Sequence, residues 1–287
     1  MRKRLLIALM AFLPIMAFAQ GAGGQVRRPD KKQETTNTTP AKKRQTKKKE
    51  SEQKPSKPSS ETIIQRLINN MVYVEGGTFT MGATSEQGSD ADSDEKPTHQ
   101  VTLSSFSIGK YEVTQEEWEA VMGNNPSSFK GAKRPVENVS WSDCHQFIRK
   151  LRTLTGKNFR MPTEAEWEYA ARGGNKSRGY NYSGSNILDD VGWYGSNSSS
   201  STHDVGQLDP NELGLYDMSG NVLEWCADWY GSYDSNSQSN PGGPSSGSYR
   251  MFRGGCWPYS AGGCRVSYRF NSSPGHSRSY LGLRLAL

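Results

Sequence analysis

The sequence predicts an α+β domain with little regular structure and long loops. Three observations lead there. Three short helical segments each carry their own start and stop signals. Short β-type runs flank them on both sides, and the connections are long stretches of Gly, Ser and Asn studded with aromatic residues.

The elements follow in order from near Ile63. Met71–Val74 and Thr78–Met81 read as a hairpin about Glu75-Gly76-Gly77, and Val101–Val113 reads as strand. Thr114 with Glu117 forms a capping box for a first helix that Gly123 stops. Ser140 and Asp143 open a second, with Cys144, Phe147, Ile148, Leu151 and Leu154 on its apolar face and Gly156 at its end. Thr163 and Glu166 open a third directly after Pro162, with Trp167, Ala170 and Ala171 turned inward. These glutamates read as caps rather than catalytic acids. The segment from Gly174 to Leu208 reads as loop, as does Gly231–Ser248. Tyr249–Arg253, Cys264–Phe270 and Leu281–Leu287 read as strands, the last with Leu281, Leu283, Leu285 and Leu287 on one face.

Gly214–Trp229 stands apart. It holds three aromatics, two glycines and three carboxylates in sixteen residues and fits neither helical nor strand periodicity. So much apolar surface must be covered by the rest of the fold, which leaves the carboxylates Asp217 and Glu224 in need of partners. A hard cation such as calcium, held by both carboxylates and the carbonyls of Gly220 and Val222, satisfies them. Hydrogen bonds from turn amides are the alternative.

The charge is divided along the chain. The 287 residues carry a net +6, of which residues 1–20 hold three basic and no acidic side chains, residues 21–61 a net +7 and residues 62–287 a net −4. The basic character therefore belongs to the N-terminal part, which argues against a nucleic-acid-binding domain. Residues 1–19 read as a secretory signal peptide: Arg2, Lys3 and Arg4, an apolar stretch from Leu5 to Phe18, and Ala17-Phe18-Ala19 before the cut. Residues 20–61 read as a disordered basic linker and residues 62–287 as the folded domain. No later run is apolar enough for a transmembrane span. The expected location is periplasmic, cell-envelope or secreted. There the four cysteines, Cys144, Cys226, Cys256 and Cys264, are free to form disulfides, with no pairing set by the sequence.

Several phrases, in order, carry a resemblance. They are Val74-Glu75-Gly76-Gly77-Thr78-Phe79-Thr80-Met81-Gly82, Tyr111-Glu112-Val113-Thr114, Arg134-Pro135-Val136 with Val139-Ser140-Trp141, Arg160 to Glu168, Gly214 to Trp225, Arg253-Gly254-Gly255, and Leu281-Gly282-Leu283-Arg284. Over about residues 71–287 the chain resembles the formylglycine-generating enzyme (sulfatase-modifying factor) family. The resemblance implies a C-type-lectin-like fold with calcium in its loops. It would place one calcium on Asp217, the carbonyls of Gly220 and Val222, and Glu224. A second would fall on Asn186 and Ile187 with Asn197 and Ser199, where Asn197 replaces an expected carboxylate.

Catalytic members of that family oxidise a cysteine of an unfolded sulfatase with oxygen and copper held by two cysteines, since soft thiolates select Cu(I). The resemblance implies cysteines at positions 259 and 264. Position 264 is Cys264, position 259 is Tyr259, and Cys256 stands where a serine is expected. Cys264 and Cys256 are then the candidate catalytic and copper-binding pair; otherwise the site is absent. Two functions follow: an oxidase acting on a protein or peptide substrate, or a non-catalytic scaffold binding an envelope partner. His99, His145, His203 and His276 show no spacing for a mononuclear iron site. No nucleophile elbow or phosphate loop is present.

Overall fold

The computed structural model describes residues 58–287. The predicted signal peptide and all of the predicted linker except residues 58–61 lie outside the described residues. Ordered structure begins slightly before Ile63, at helix α1 (Ser60–Asn69), capped by the Ser59 side chain accepting from Thr62 N–H and burying Ile63 and Leu67.

Helices α2 (Gln115–Met122), α3 (Trp141–Thr155) and α4 (Glu164–Ala171) all start with the capping boxes read from the sequence, at Thr114, Ser140 and Thr163. Left-handed Gly123 and Gly156 close the first two. In α3 the apolar face is buried as far as Leu151, whereas Leu154 is exposed because it lies past the end of the core contact. A fifth, short helix within the predicted loop region, α5 (Leu188–Val191), buries both its end residues.

The strands depart from the expected pairing. β1 (Met71–Val74) and β2 (Gly77–Met81) are not a hairpin: β1 pairs with β4 (Phe106–Gly109) and β2 with β3 (His99–Leu103). The reason lies at Gly76, where an added Cβ would come within 2.4 Å of the Leu103 carbonyl oxygen; the chain passes from one sheet to the other through that close approach. A third short strand, β6 (Gln238–Ser239), joins β3 in parallel.

The C-terminal sheet has the order β8-β7-β5-β9. Its centre is β5 (Leu223–Trp229), the second half of the stretch that showed no period. Its faces are both covered, so alternation is lost. β7 (Arg250–Arg253) pairs antiparallel with β5 across an irregularity between Trp225 and Trp229. The predicted strand Cys264–Phe270 instead holds a 3₁₀ turn, Ala261–Cys264, and only then β8 (Phe270–Ser272). β9 is confined to Leu281–Gly282; Leu283, Arg284, Leu285 and Ala286 are all buried, while Leu287 is partly exposed.

Helix α4 lies against β2, β5 and β7, and every one of its residues is buried. It brings three glutamates inside, each with an arginine: Glu164 with Arg269, Glu166 with Arg160, and Glu168 with both Arg172 and Arg253. Glu95 with Arg265 and Glu224 with Arg284 complete this ionic framework. Buried pairs of this kind fix the chain's path more than they add net stability. Among the described residues, no helix is long and apolar enough to cross a membrane.

Candidate functional site

The candidate sulfur pair sits where β7 runs out. Gly254 and Gly255 both take positive φ, 104° and 73°, and turn the chain back on itself. A Cβ on Gly255 would lie 2.5 Å from Cys264 Sγ, so only glycine lets the sulfur pass. The next residue, Cys256, donates its backbone N–H to the Cys264 sulfur. The Cys264 thiol lies 3.8 Å from the Ser260 carbonyl oxygen.

Cys256 and Cys264 are thus brought together, and both are fully buried. All four cysteines are free thiols, and Cys144 and Cys226 sit in separate parts of the core. Burial pushes the Cys264 thiol up to about 12 and Cys256 well above its ordinary value. Both therefore stay protonated at neutral pH, and the thiolate is the form that attacks or binds metal.

Tyr259 occupies the position where the resemblance expects sulfur. Its ring lies 5.3 Å from Phe270 and 5.7 Å from Tyr280, and Phe270 lies 4.6 Å from Tyr268. Pro258, Tyr259, Ser260, Tyr268 and Phe270 line an open groove of about 530 Å³. Two adjacent sulfurs are the right donor type for a soft cation. Fully buried, and with Tyr259 in place of the expected cysteine, they do not fit an open two-thiolate copper site with room for a substrate thiol.

The candidate calcium residues form a second cluster. Asp217 and Asn221 take left-handed φ values of 58° and 57°, and Gly220 one of 101°. A Cβ on Gly220 would stand 2.4 Å from the Trp193 carbonyl oxygen. Glu112, which sequence reasoning does not select, accepts from Val222 N–H at 3.0 Å and from the Asn221 side chain at 2.7 Å. Asp217 accepts from Gly206 N–H at 2.7 Å through Oδ2, while its buried Oδ1 has no hydrogen-bond partner.

Glu224 is engaged on both oxygens. Arg284 donates to it at 2.7 and 3.0 Å, and Trp167 Nε1 donates at 2.6 Å. Arg284 also donates to the carbonyls of Gly109 and Tyr216. Three buried carboxylates thus face one guanidinium. Burial, then the charges of Asp217 and Glu224, push the Glu112 carboxyl well up. Burial raises Asp217 to about 6.

Among the described residues, no three His, Cys, Asp or Glu side chains are arranged to hold a metal as they stand. The orphaned Asp217 Oδ1 and the excess of buried negative charge nevertheless suit a hard cation, with Asp217 and the carbonyls of Gly220 and Val222 as oxygen donors. Glu224 fits that set less well, because Arg284 already holds it.

The residues expected at the second calcium site are engaged in local hydrogen bonds. Asn186 accepts from Asn181 N–H, and the Ile187 side chain is exposed. Asn197 Oδ1 accepts from Tyr194 N–H, and its amide nitrogen donates to Gly192 O at 2.9 Å and Asp189 Oδ1 at 3.4 Å. That amide links acceptors a cation would otherwise bridge. Ser199 takes a left-handed φ of 54° beside it.

Comparison with known proteins shows the family and the fold. The family model of the sulfatase-modifying factor enzyme 1-like domain matches residues 56–287. A chaperone protein LppX of Paenibacillus barcinonensis is 39% identical, covering 70% of this chain and 82% of that protein. A formylglycine-generating enzyme of Thermomonospora curvata is 29% identical, covering 77% of this chain and 94% of the enzyme. Among solved structures, Treponema denticola variable protein 1 superposes with a TM-score of 0.68 at 38% identity, covering 75% of this chain and 94% of that one. The mixed α and β fold with long loops is the C-type-lectin-like fold that the resemblance implied.

Proposed function

Because the chain belongs to the sulfatase-modifying factor enzyme 1-like domain family, we propose that it is an exported member that recognises a protein or peptide partner of the cell envelope without oxidising it. The observation that carries this reading is the burial of Cys256 and Cys264, neither of which lines the groove of Tyr259, Tyr268 and Phe270. Aromatic rings around a shallow groove give contact area at low cost in side-chain entropy, which suits polypeptide recognition. The similarity to a protein named a chaperone supports the same reading. Calcium, held by Asp217 and the carbonyls of Gly220 and Val222, serves to neutralise the buried carboxylates rather than to react.

A photo-crosslinking residue in place of exposed Ser260 tests it in the native envelope. A discrete protein adduct that Tyr268→Ala and Phe270→Ala together abolish, with the fold unchanged, supports partner recognition. Absence of any adduct, or an adduct indifferent to both substitutions, contradicts it.

One observation favours a catalytic reading: the Cys256 backbone bonded to the Cys264 sulfur, which keeps the two thiols side by side. In that case Cys256 and Cys264 hold copper. The reduced protein binds Cu(I) tightly, and Cys264→Ser abolishes binding.

A further inference from the structure

Away from the aromatic groove, a cavity of about 270 Å³ opens beside the start of α4. Arg269 connects the two places by sequence only. It lies between Tyr268 and Phe270 of the groove but reaches the other way, to Glu164 and the Gly231 carbonyl. The cavity walls include His99, Glu164, Asp228, Trp229, Tyr233 and Arg269, whose guanidinium is taken up by Glu164, and exposed Gly242 and Pro244 form part of its rim.

The two acids in the wall differ in their surroundings. Glu164 is matched: Arg269 donates to its oxygens at 2.7 and 2.9 Å, and the Tyr233 hydroxyl lies 3.2 Å away. Asp228 is buried and accepts from Glu164 N–H at 2.9 Å through Oδ2, but it forms no ion pair among the described residues. The nearest candidate, Arg250, is held elsewhere. Its guanidinium stacks between Trp141 and Trp229, 3.8 and 3.4 Å from the ring centres, and donates to Ala227 O. A buried carboxylate without a counter-charge, in a cavity open to solvent, is an incomplete arrangement.

We propose that this cavity binds an organic cation, an alkylammonium or guanidinium group, whose charge pairs with Asp228. Rings and polar groups suit that ligand. His99 and Tyr233 meet edge to face at 4.8 Å, Trp229 also lines the wall, the rings of Tyr233 and Trp229 already stack with the guanidiniums of Arg269 and Arg250, and Gln238 supplies an amide acceptor. A guanidinium or ammonium on an apolar stem matches a pocket with aromatic walls and, beside the paired Glu164, one carboxylate without an ion pair.

The pairing is pH-dependent. Asp228 is raised to about 7 by burial, then by the charges of Glu164 and Glu166. The groups facing it are those two glutamates on α4, Arg250 on β7, Arg269 before β8, His99 on β3 and Tyr233. The cation requires the ionised carboxylate, so binding strengthens as pH rises through 7.

The test is a calorimetric titration of the full chain with ethylguanidinium chloride, with the tripeptide Gly-Lys-Gly, and with methyl glucoside as a neutral polyol. Asp228→Asn is the variant, because its amide oxygen still accepts from Glu164 N–H. Wild-type protein binds a cation at pH 7.5 and loses about tenfold or more of that affinity at pH 5.5. Asp228→Asn, folded as judged by its circular dichroism, binds at neither pH. Binding of ethylguanidinium alone assigns the cavity to small guanidinium cations, and binding of the tripeptide as well assigns it to a protein side chain. No cation binding, pH-independent binding, equal binding by folded Asp228→Asn, or preference for the glucoside overturns the proposal. If the variant does not fold, the wild-type pH profile decides alone.

Discussion

Arg284 holds Glu224 through two guanidinium nitrogens, Nη2 to Oε1 at 2.7 Å and Nε to both oxygens at 3.0 Å, with neither side chain exposed. It is also the cation faced by Glu112 and Asp217. Arg284→Met therefore leaves three buried carboxylates without a counter-charge. We expect a loss of about 3–5 kcal/mol in chemical denaturation, as is usual when one member of a buried pair is removed. A loss below about 1 kcal/mol contradicts the central place given to this pair.

The pH dependence of stability follows from carboxyls held above their ordinary values. Asp217 is raised to about 6, Asp228 and Glu117 to about 7, each chiefly by burial. A group raised on folding binds its proton more tightly in the folded state. Its contribution is complete below the unfolded value near 4 and disappears as pH rises through the folded one. For Asp217 alone this is on the order of 3 kcal/mol. Glu95 and Glu164 act oppositely: burial opposes their ionisation, but Arg265 and Arg269 override it and hold them below the ordinary value. Their contribution disappears as pH falls through that lowered value. Calcium-free protein should thus melt highest at about pH 4 and lose stability as pH rises to about 7, with little further loss by about pH 8.

Calcium should reverse that decline. At pH 8 the added ion raises the melting temperature of wild-type protein, and Asp217→Asn removes most of the gain because it removes the charge at the orphaned oxygen. An equal calcium response in folded Asp217→Asn would place the ion elsewhere.

The close approach at Gly255 gives a further test. Alanine there meets both its left-handed φ of 73° and the Cys264 sulfur at 2.5 Å. Gly255→Ala should cost about 1–3 kcal/mol and loosen the thiol below. Under native conditions wild-type Cys256 and Cys264 resist maleimide. In the variant Cys264 should label first. Rapid labelling of the folded wild type contradicts the sealed geometry.

Parts of the fold are legible in the sequence because their signals are local. The boxes at Thr114, Ser140 and Thr163 and the stops at Gly123 and Gly156 each involve residues within a turn of one another, and each forms at the residues that signal it. Strand pairing is not legible, because β1 and β2 are adjacent in sequence yet belong to different sheets. β5 is hidden because both its faces are covered. At the candidate sites the turn carboxylates stand out by composition. Their partners Glu112 and Arg284 do not, lying about 110 and 60 residues from Val222 and Glu224. Asp228 carries no spacing signal, being a single aspartate between aromatics; only the cavity beside it gives it meaning.

The most direct test of recognition without oxidation is a mass-spectrometric assay of the full chain. Calcium-loaded, reduced protein is supplied with copper, oxygen and a Cys-x-Pro-x-Arg peptide. We expect the peptide cysteine to remain a thiol or to form only disulfides, with no aldehyde product. Conversion to the aldehyde that Cys264→Ser abolishes would contradict this account and make Cys256 and Cys264 the working pair.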